Sequence, residues 1–171
     1  SELWRKAWGR EFPKGGPKAQ TAENHAFFSF LAEKESALFA RFRDLIRKDI
    51  RSEVLLSNMS CWTNPLVYQK PRTLYDYVDD HFYSEHPRFL GKVKWDVPVD
   101  VGDVNWFRSG RLNTRLMNTH RLADKPFTIT EANFPAPCKW RSMGGLVLGC
   151  WAALQDWDAA WHFAWAHRRE N

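Results

Sequence analysis

The sequence contains no apolar run that approaches the roughly 18 residues needed to cross a membrane, so we expect no transmembrane segment. Its net charge is +5, but lysine and arginine are spread along the chain, and no basic run marks a nucleic-acid footprint. The three cysteines lack metal-ligand spacing, and their odd number argues against a complete disulfide framework. The first residues do not form a signal peptide, and a signal upstream of Ser1 stays open because the sequence starts with Ser and not with Met. These features predict neither a metal nor another cofactor.

Aromatic residues are abundant in this chain. Ten Trp and twelve Phe occur in 171 residues, which is the length of one domain or of a part of a larger one. Such richness suits either a heavy core or a surface on which flat ligands stack, such as sugar rings or bases. We treat residues 1–171 as a single domain that is incomplete at its N-terminal side.

The clearest helical pattern extends from Glu23 to Ile50, where apolar residues recur at spacings of three, four and seven. We expect this stripe to pack in the core, and its members are Phe27, Leu31, Leu38, Phe42, Leu45 and Ile46. Three further helices are predicted at Pro71–Asp76, Arg111–Leu122 and Lys139–Asp156. In the last of these, Gly144, Gly145 and Gly149 predict close packing against a sheet. They do not predict a phosphate loop, because no strand-turn-glycine fingerprint precedes them.

Four apolar or β-branched segments alternate with these helices and predict strands. They are Val54–Leu56, Tyr77–Tyr83, Phe127–Ile129 and Ala159–Trp165. The 25-residue polar stretch between the second strand and Ser109 exceeds an ordinary connection of about 12–15 residues and predicts a functional loop or lid. Strands that alternate with helices indicate a parallel sheet with right-handed crossovers. We predict an α/β fold, a parallel half-barrel that corresponds to the last four strands of a (β/α)8 barrel, since a complete barrel needs about 250 residues.

Polar and aromatic side chains follow each predicted strand, at the end where (β/α) folds keep their chemistry. Glu131 ends the third predicted strand, and Pro135 and Pro137 follow it. The other candidates are Asn58, Trp62, His81, Tyr83 and Trp165. A purely structural role stays open for several of them.

Glu131 can cap the following helix or pair with Arg141, and His81 can be a satisfied core histidine. Trp161 and Trp165 share one face of the last strand by its period of two. We expect Trp161 to lie in the core and Trp165 to contact a ligand.

Three pieces of the chain resemble retaining glycoside hydrolases of the (β/α)8 type, the clan with two catalytic glutamates. These pieces are residues 76–87, 125–131 and 153–158, and their order and spacing are more specific than any one of them. The resemblance is to secreted bacterial members of this clan, so it implies a secreted or periplasmic location. It implies that Glu131 is the nucleophile at the end of the seventh strand and that Tyr83 holds it. It also places His81 at the end of the sixth strand and implies that Trp165 is the platform on which the sugar stacks. Apart from the resemblance, Asn58 and Trp62 lie at the exit of the first predicted strand and suit a ligand site, and Trp62 and Trp106 on predicted loops are candidates for stacking on a sugar.

One part of the clan's pattern is missing. The acid/base Glu belongs at the end of the fourth strand after an Asn, and no such pair follows a strand here. Retaining hydrolysis needs two carboxyl groups about 5–5.5 Å apart. We expect the second one upstream of Ser1, although Asp79, Asp80 or Glu85 stays open as a substitute. The expected partners are a carbohydrate substrate and either the missing half-barrel or a second copy of the chain.

Two other functional classes stay open. A carbohydrate-binding module without catalysis would use the same aromatic residues, but the Glu23–Ile50 helix argues against an antiparallel β-rich module. A nucleic-acid-binding protein is suggested by the net charge of +5 with interleaved aromatic residues. Such binding would weaken steeply with salt.

Overall fold

The computed structural model describes residues 22–57, 65–94, 96–109 and 120–164 of the 171-residue chain. These residues form two compact units, of which the first ends at Tyr77 and the second begins at Val78. The predicted helix Arg111–Leu122 lies mostly outside the described residues, and residues 120–122 are not helical.

The first unit is helical in its described part. Helix α1 spans Ala22–Asp44 and continues into a π-helical turn, Leu45–Asp49, which confirms the predicted long helix. Helix α2 spans Pro65–Arg72, so the helix predicted at Pro71–Asp76 begins earlier and ends earlier than expected. Residues 73–77 form turns and bends after it.

Of the six residues of the expected apolar stripe, only Phe27 is buried, while Leu31 and Ile46 are half-buried. Phe27, Phe30 and Phe39 are buried, and the ring of Phe39 lies 3.8 Å from that of Tyr75, centroid to centroid. By contrast, Leu38, Phe42 and Leu45 are exposed by 48%, 54% and 44%. The buried face therefore includes Phe30 and Phe39, which the predicted stripe omitted, because these rings are the ones that meet neighbouring apolar side chains.

The strand predicted at Val54–Leu56 is wrong, since residues 51–57 form no regular element. Val54 is 57% exposed and Leu55 is 72% exposed, whereas strands of parallel sheets are normally buried on both faces. Leu56 is held by Asp76 instead: its N–H donates to the carboxylate at 2.7 Å, and its carbonyl accepts from the Asp76 N–H at 2.9 Å.

The second unit contains a parallel three-stranded sheet, so the protein is α/β as predicted. Its strands are β1 (Val78–Tyr83), β4 (Phe127–Asn133) and β5 (Ala159–His162), in the order β1-β4-β5. These are three of the four predicted strands. Strand β4 does not end at Glu131, because Ala132 and Asn133 still pair with Phe82 and Tyr83 of β1.

The long polar stretch after β1 has regular structure of its own. Strands β2 (Arg88–Phe89) and β3 (Val99–Asp100) form an antiparallel pair, and the short helix α3 spans Trp106–Ser109. Asp103 joins this stretch to the segment after β4: it accepts from the Lys139 N–H at 3.0 Å and pairs with the Lys139 ammonium at 2.6 Å.

Helix α4 spans Met143–Leu154, a shorter version of the predicted helix Lys139–Asp156. Its Val147 belongs to the core of the second unit, which also contains Val78, Phe82, Trp106, Phe127, Ile129, Ala132, Phe134 and Trp157. The expectation that Trp106 stacks on a sugar is wrong, because its ring is buried against those of Phe82 and Phe134. Of the three glycines expected to permit close packing, only Gly144 does so, because a Cβ there would meet the Phe134 ring at 2.7 Å. Gly145 and Gly149 face open space.

Candidate functional site

The two faces of the parallel sheet differ in character. Side chains alternate along a strand, so β1 directs Val78, Asp80 and Phe82 to one face and Asp79, His81 and Tyr83 to the other. The first face joins the apolar core. The second carries polar groups, and we call it the polar face.

A β-bulge in β4 determines which of its side chains reach the polar face. Asp80 of β1 pairs with Ile129, but His81 pairs with Glu131, so Thr130 is an extra residue in the register. Strand β5 shows the same shift, since Ala160 pairs with Ile129 and His162 with Ala132. Bulges are rare in parallel pairs and redirect side chains.

The consequence is visible in the core residues of β4. Phe127 and Ile129 lie in the core before the bulge, and Ala132 lies there after it. Strict alternation would continue from Ile129 to Glu131 and place that carboxylate on the apolar face. The bulge reverses the alternation and brings Glu131 to the polar face.

Glu131 lies near the C-terminal end of β4, between groups supplied by β1. The Tyr83 hydroxyl donates to Glu131 Oε2 at 2.7 Å, and His81 Nδ1 lies 3.0 Å from the same oxygen. Among the described residues, no contact engages Oε1. The Glu131 side chain is 30% exposed, so the carboxylate is both held and accessible.

The hydrogen bond to Glu131 also affects the acidity of Tyr83. Partial burial raises the pKa of the Tyr83 phenol well above its ordinary value, and the hydrogen bond and negative charge of Glu131 raise this pKa further. All three causes disfavour the phenolate. Tyr83 therefore stays a hydrogen-bond donor to the carboxylate across the neutral pH range.

Asp79 forms a second polar cluster on the same face. Its Oδ1 accepts from the Thr128 hydroxyl at 2.9 Å, and its Oδ2 accepts from the Thr130 hydroxyl at 2.6 Å. His81 Nε2 lies 4.0 Å from Oδ2, so His81 stands between the Asp79 and Glu131 carboxylates. This arrangement can orient the imidazole ring with one nitrogen toward each carboxylate.

Asp80 belongs to the opposite face. It is buried, pairs with His120 Nδ1, and accepts from the backbone N–H of His81 at 2.8 Å. Its role is therefore to join β1 to the segment around His120, away from Glu131.

Trp161 corrects one expectation about the last strand. It is 52% exposed and lies outside the core cluster in which we expected it. Ala160 pairs with Ile129 and His162 pairs with Ala132, so Trp161, which lies between them, is opposite the bulge. Strand β5 pairs with the edge of β4 that does not pair with β1. The alternation of β5 places it on the polar face with Glu131.

Of the six predicted site residues, the structure brings three together: Glu131, His81 and Tyr83. Asn58, Trp62 and Trp165 lie outside the described residues. Arg141, the alternative partner for Glu131, is exposed, and the described contacts of Glu131 are those with Tyr83 and His81.

Thr128, Thr130 and Trp161 were not predicted from the sequence as site residues. Period-two alternation was a usable signal for Trp161, because it assigned Trp161 and Trp165 to one face. For the two threonines, the usable signal was that Thr128 and Thr130 carry hydroxyl groups in a segment that is otherwise apolar up to Glu131.

In the described part of the chain, no group of three or more His, Cys, Asp or Glu side chains is arranged to hold a metal ion. None of the helices formed by the described residues is long and apolar enough to span a membrane. Comparison of the chain with protein-family models, curated proteins and solved structures finds no match.

Proposed function

We propose that the protein is part of a retaining glycoside hydrolase in which Glu131 is the nucleophile. One observation carries the proposal: near the C-terminal ends of two adjacent parallel strands, a partly exposed carboxylate accepts a hydrogen bond from Tyr83 and lies beside His81. These are the positions at which (β/α) folds place catalytic groups.

The architecture supports a barrel origin for the sheet. Successive long strands of the second unit are neighbours and parallel, in the order β1-β4-β5, as successive strands of a (β/α)8 barrel are. Under the proposal they are the sixth, seventh and eighth strands, and the polar face is the interior of the barrel.

The chemistry assigned to Glu131 is the formation of a glycosyl-enzyme. Its Oε1, which has no contact among the described residues, attacks the anomeric carbon, and the bond from that carbon to the leaving oxygen breaks. The Tyr83 hydroxyl and His81 keep Oε2 oriented during the attack. Water then cleaves the ester between the sugar and Glu131, which regenerates the carboxylate.

A second carboxyl group must protonate the leaving oxygen. Asp80 is on the opposite face, both oxygens of Asp79 already accept threonine hydroxyls, and the Glu85 carboxylate lies against Gly102 in the stretch that follows β1. The proposal therefore assigns the acid to a carboxyl group on the other half of the barrel. Without it, only substrates with activated leaving groups react, because these need no protonation.

Mechanism-based labelling tests the nucleophile directly. The protein is treated with 2-deoxy-2-fluoroglycosyl fluorides of glucose, mannose and xylose, whose fluoride leaves without an acid, and the modified peptide is sequenced. We expect modification of Glu131 in the native protein and none in Glu131→Gln. Glu53→Gln, at an exposed position of the first unit, is the control and should be labelled as the native protein is. Modification at another residue contradicts the proposal.

Carbohydrate binding without catalysis is the second candidate, and the exposed indole of Trp161 on the polar face favours it. An aromatic ring can stack on a sugar whether or not an acid is present. In that case the fluorosugars leave the protein unmodified, while Trp161→Ala weakens sugar binding measured by calorimetry.

A further inference from the structure

The bulge at Thr130 needs an interaction that stabilises it relative to regular strand pairing. An extra residue interrupts the register with both neighbouring strands, so the backbone ladder alone does not favour it over regular pairing. Regular pairing would turn Glu131 toward Phe127 and Ile129, whose side chains are fully buried. Burial of the carboxylate there would be costly, which opposes regular pairing, and an interaction made only in the bulged register would stabilise the bulge further.

Asp79 supplies that interaction through one side chain. Its two carboxylate oxygens each accept a different threonine hydroxyl, Thr128 before the bulge and Thr130 within it. In a regular strand, Thr128 and Thr130 share a face and Glu131 does not. Here Thr130 and Glu131 both have partners on the polar face, although they are consecutive. The bond from Thr130 to Asp79 is therefore located where the alternation reverses.

Burial makes this bond strong. Asp79 is 7% exposed and Thr130 is half-buried, so solvent competes little for the carboxylate. A hydrogen bond to a charged group contributes more than a neutral one. The Thr130 bond, at 2.6 Å, is also the shorter of the two.

We infer that Asp79 is a positioning residue, which holds Thr130 in the bulge and thereby keeps Glu131 on the polar face between His81 and Tyr83. The effect of Asp79 on catalysis rests on the proposed function, since displacement of Glu131 slows a reaction only if Glu131 is the nucleophile. The structural part of the inference concerns the location of Glu131 and does not depend on catalysis.

The test compares substitutions that remove one hydroxyl each. Thr130→Val removes the hydroxyl in the bulge and keeps the branched shape, and Thr130→Ser keeps the hydroxyl. Thr128→Val is the matched control, because it removes the other hydroxyl from the same carboxylate at a position with regular pairing. Asp79→Asn is a second way to weaken the anchor if Thr130→Val does not fold, as judged by circular dichroism.

Two measurements are made on each variant. The first is the carboxyl ¹³C resonance of Glu131 in protein labelled at glutamate Cδ, assigned by its loss in Glu131→Gln. The second is the rate of modification of Glu131 by the three fluoroglycosyl fluorides. We expect Thr130→Val to shift the resonance and to slow modification about 100-fold, the cost of a displacement near 1 Å. Thr130→Ser should retain the native resonance and most of the native rate.

The outcomes separate the inference from the proposed function. A Glu131 resonance that is unchanged in Thr130→Val, or that shifts equally in Thr128→Val, overturns the positioning role of Asp79 through the bulge. A shift confined to Thr130→Val and Asp79→Asn supports it. If no fluorosugar modifies the native protein, the hydrolase proposal fails, and the resonance still decides whether Asp79 positions Glu131.

Discussion

Replacement of Tyr83 by Phe removes one hydroxyl from the candidate site and leaves the ring in place. In the native protein this hydroxyl donates to Glu131 Oε2 at 2.7 Å, while His81 Nδ1 lies 3.0 Å from the same oxygen. Without this bond the carboxylate can leave the orientation required for attack, and a displacement of about 1 Å can slow a reaction about 100-fold. Because His81 still contacts the carboxylate in the variant, we expect a smaller loss in rate of about 10- to 50-fold.

The assay is the second-order rate constant for modification of Glu131 by the most reactive fluoroglycosyl fluoride. This reagent needs no acid catalyst, so the rate reports only on the nucleophile and on sugar binding. Tyr77→Phe removes the same atom from a tyrosine of the first unit and should react at the native rate. A Tyr83→Phe protein that is modified as fast as the native protein would refute the assigned role of the hydrogen bond.

Three further predictions concern stability. Burial and Glu131 raise the pKa of Tyr83, so its contribution to stability is complete below about pH 10, the pKa of an unfolded tyrosine, and is lost as the pH rises beyond that value. Above about pH 10, the free energy of unfolding in urea should therefore fall less steeply for Tyr83→Phe than for the native protein, and identical falls would contradict the shift. Gly144→Ala places a Cβ 2.7 Å from the buried Phe134 ring and should destabilise the protein by about 1–3 kcal/mol. Gly145→Ala meets nothing within 4 Å and should stabilise the helix by up to about 1 kcal/mol, so equal effects of the two glycine substitutions in thermal unfolding would argue against the packing of α4. Phe127→Ala empties a fully buried site and should cost about 3–5 kcal/mol by urea unfolding, and a cost below about 1 kcal/mol would exclude this core.

The sequence predicted the regular elements best where the pattern was long or where both faces were buried. The helix from Ala22 to Asp44 follows from its length and apolar spacing, and β1 and β4 follow from short apolar and β-branched runs. The segment Val54–Leu56 has the same composition but lies exposed. Composition indicates that a strand is possible there, whereas formation of the strand requires a neighbouring strand, which local sequence does not contain.

Burial along α1 was harder to predict for a similar reason. A helical stripe indicates which side chains share a face but not which neighbouring rings are available to cover them. Phe39 is buried because Tyr75, thirty-six positions later, packs against it, whereas in the described part of the chain no ring packs against Phe42, which is 54% exposed. Contacts between residues distant in sequence therefore decided the outcome.

The candidate site shows the same dependence on distant residues most clearly. The position of Glu131 after a buried strand correctly pointed to the C-terminal end of the sheet, and Tyr83 and His81 were assigned to the neighbouring strand end. Yet the period of two that identifies a strand also predicts that Ile129 and Glu131 share a face. They do not, because Thr130 is an extra residue that bonds to Asp79, fifty-one positions earlier. The exposure of the carboxylate therefore depends on the pairing between strands, because strict alternation predicts that Glu131 is buried with Phe127 and Ile129.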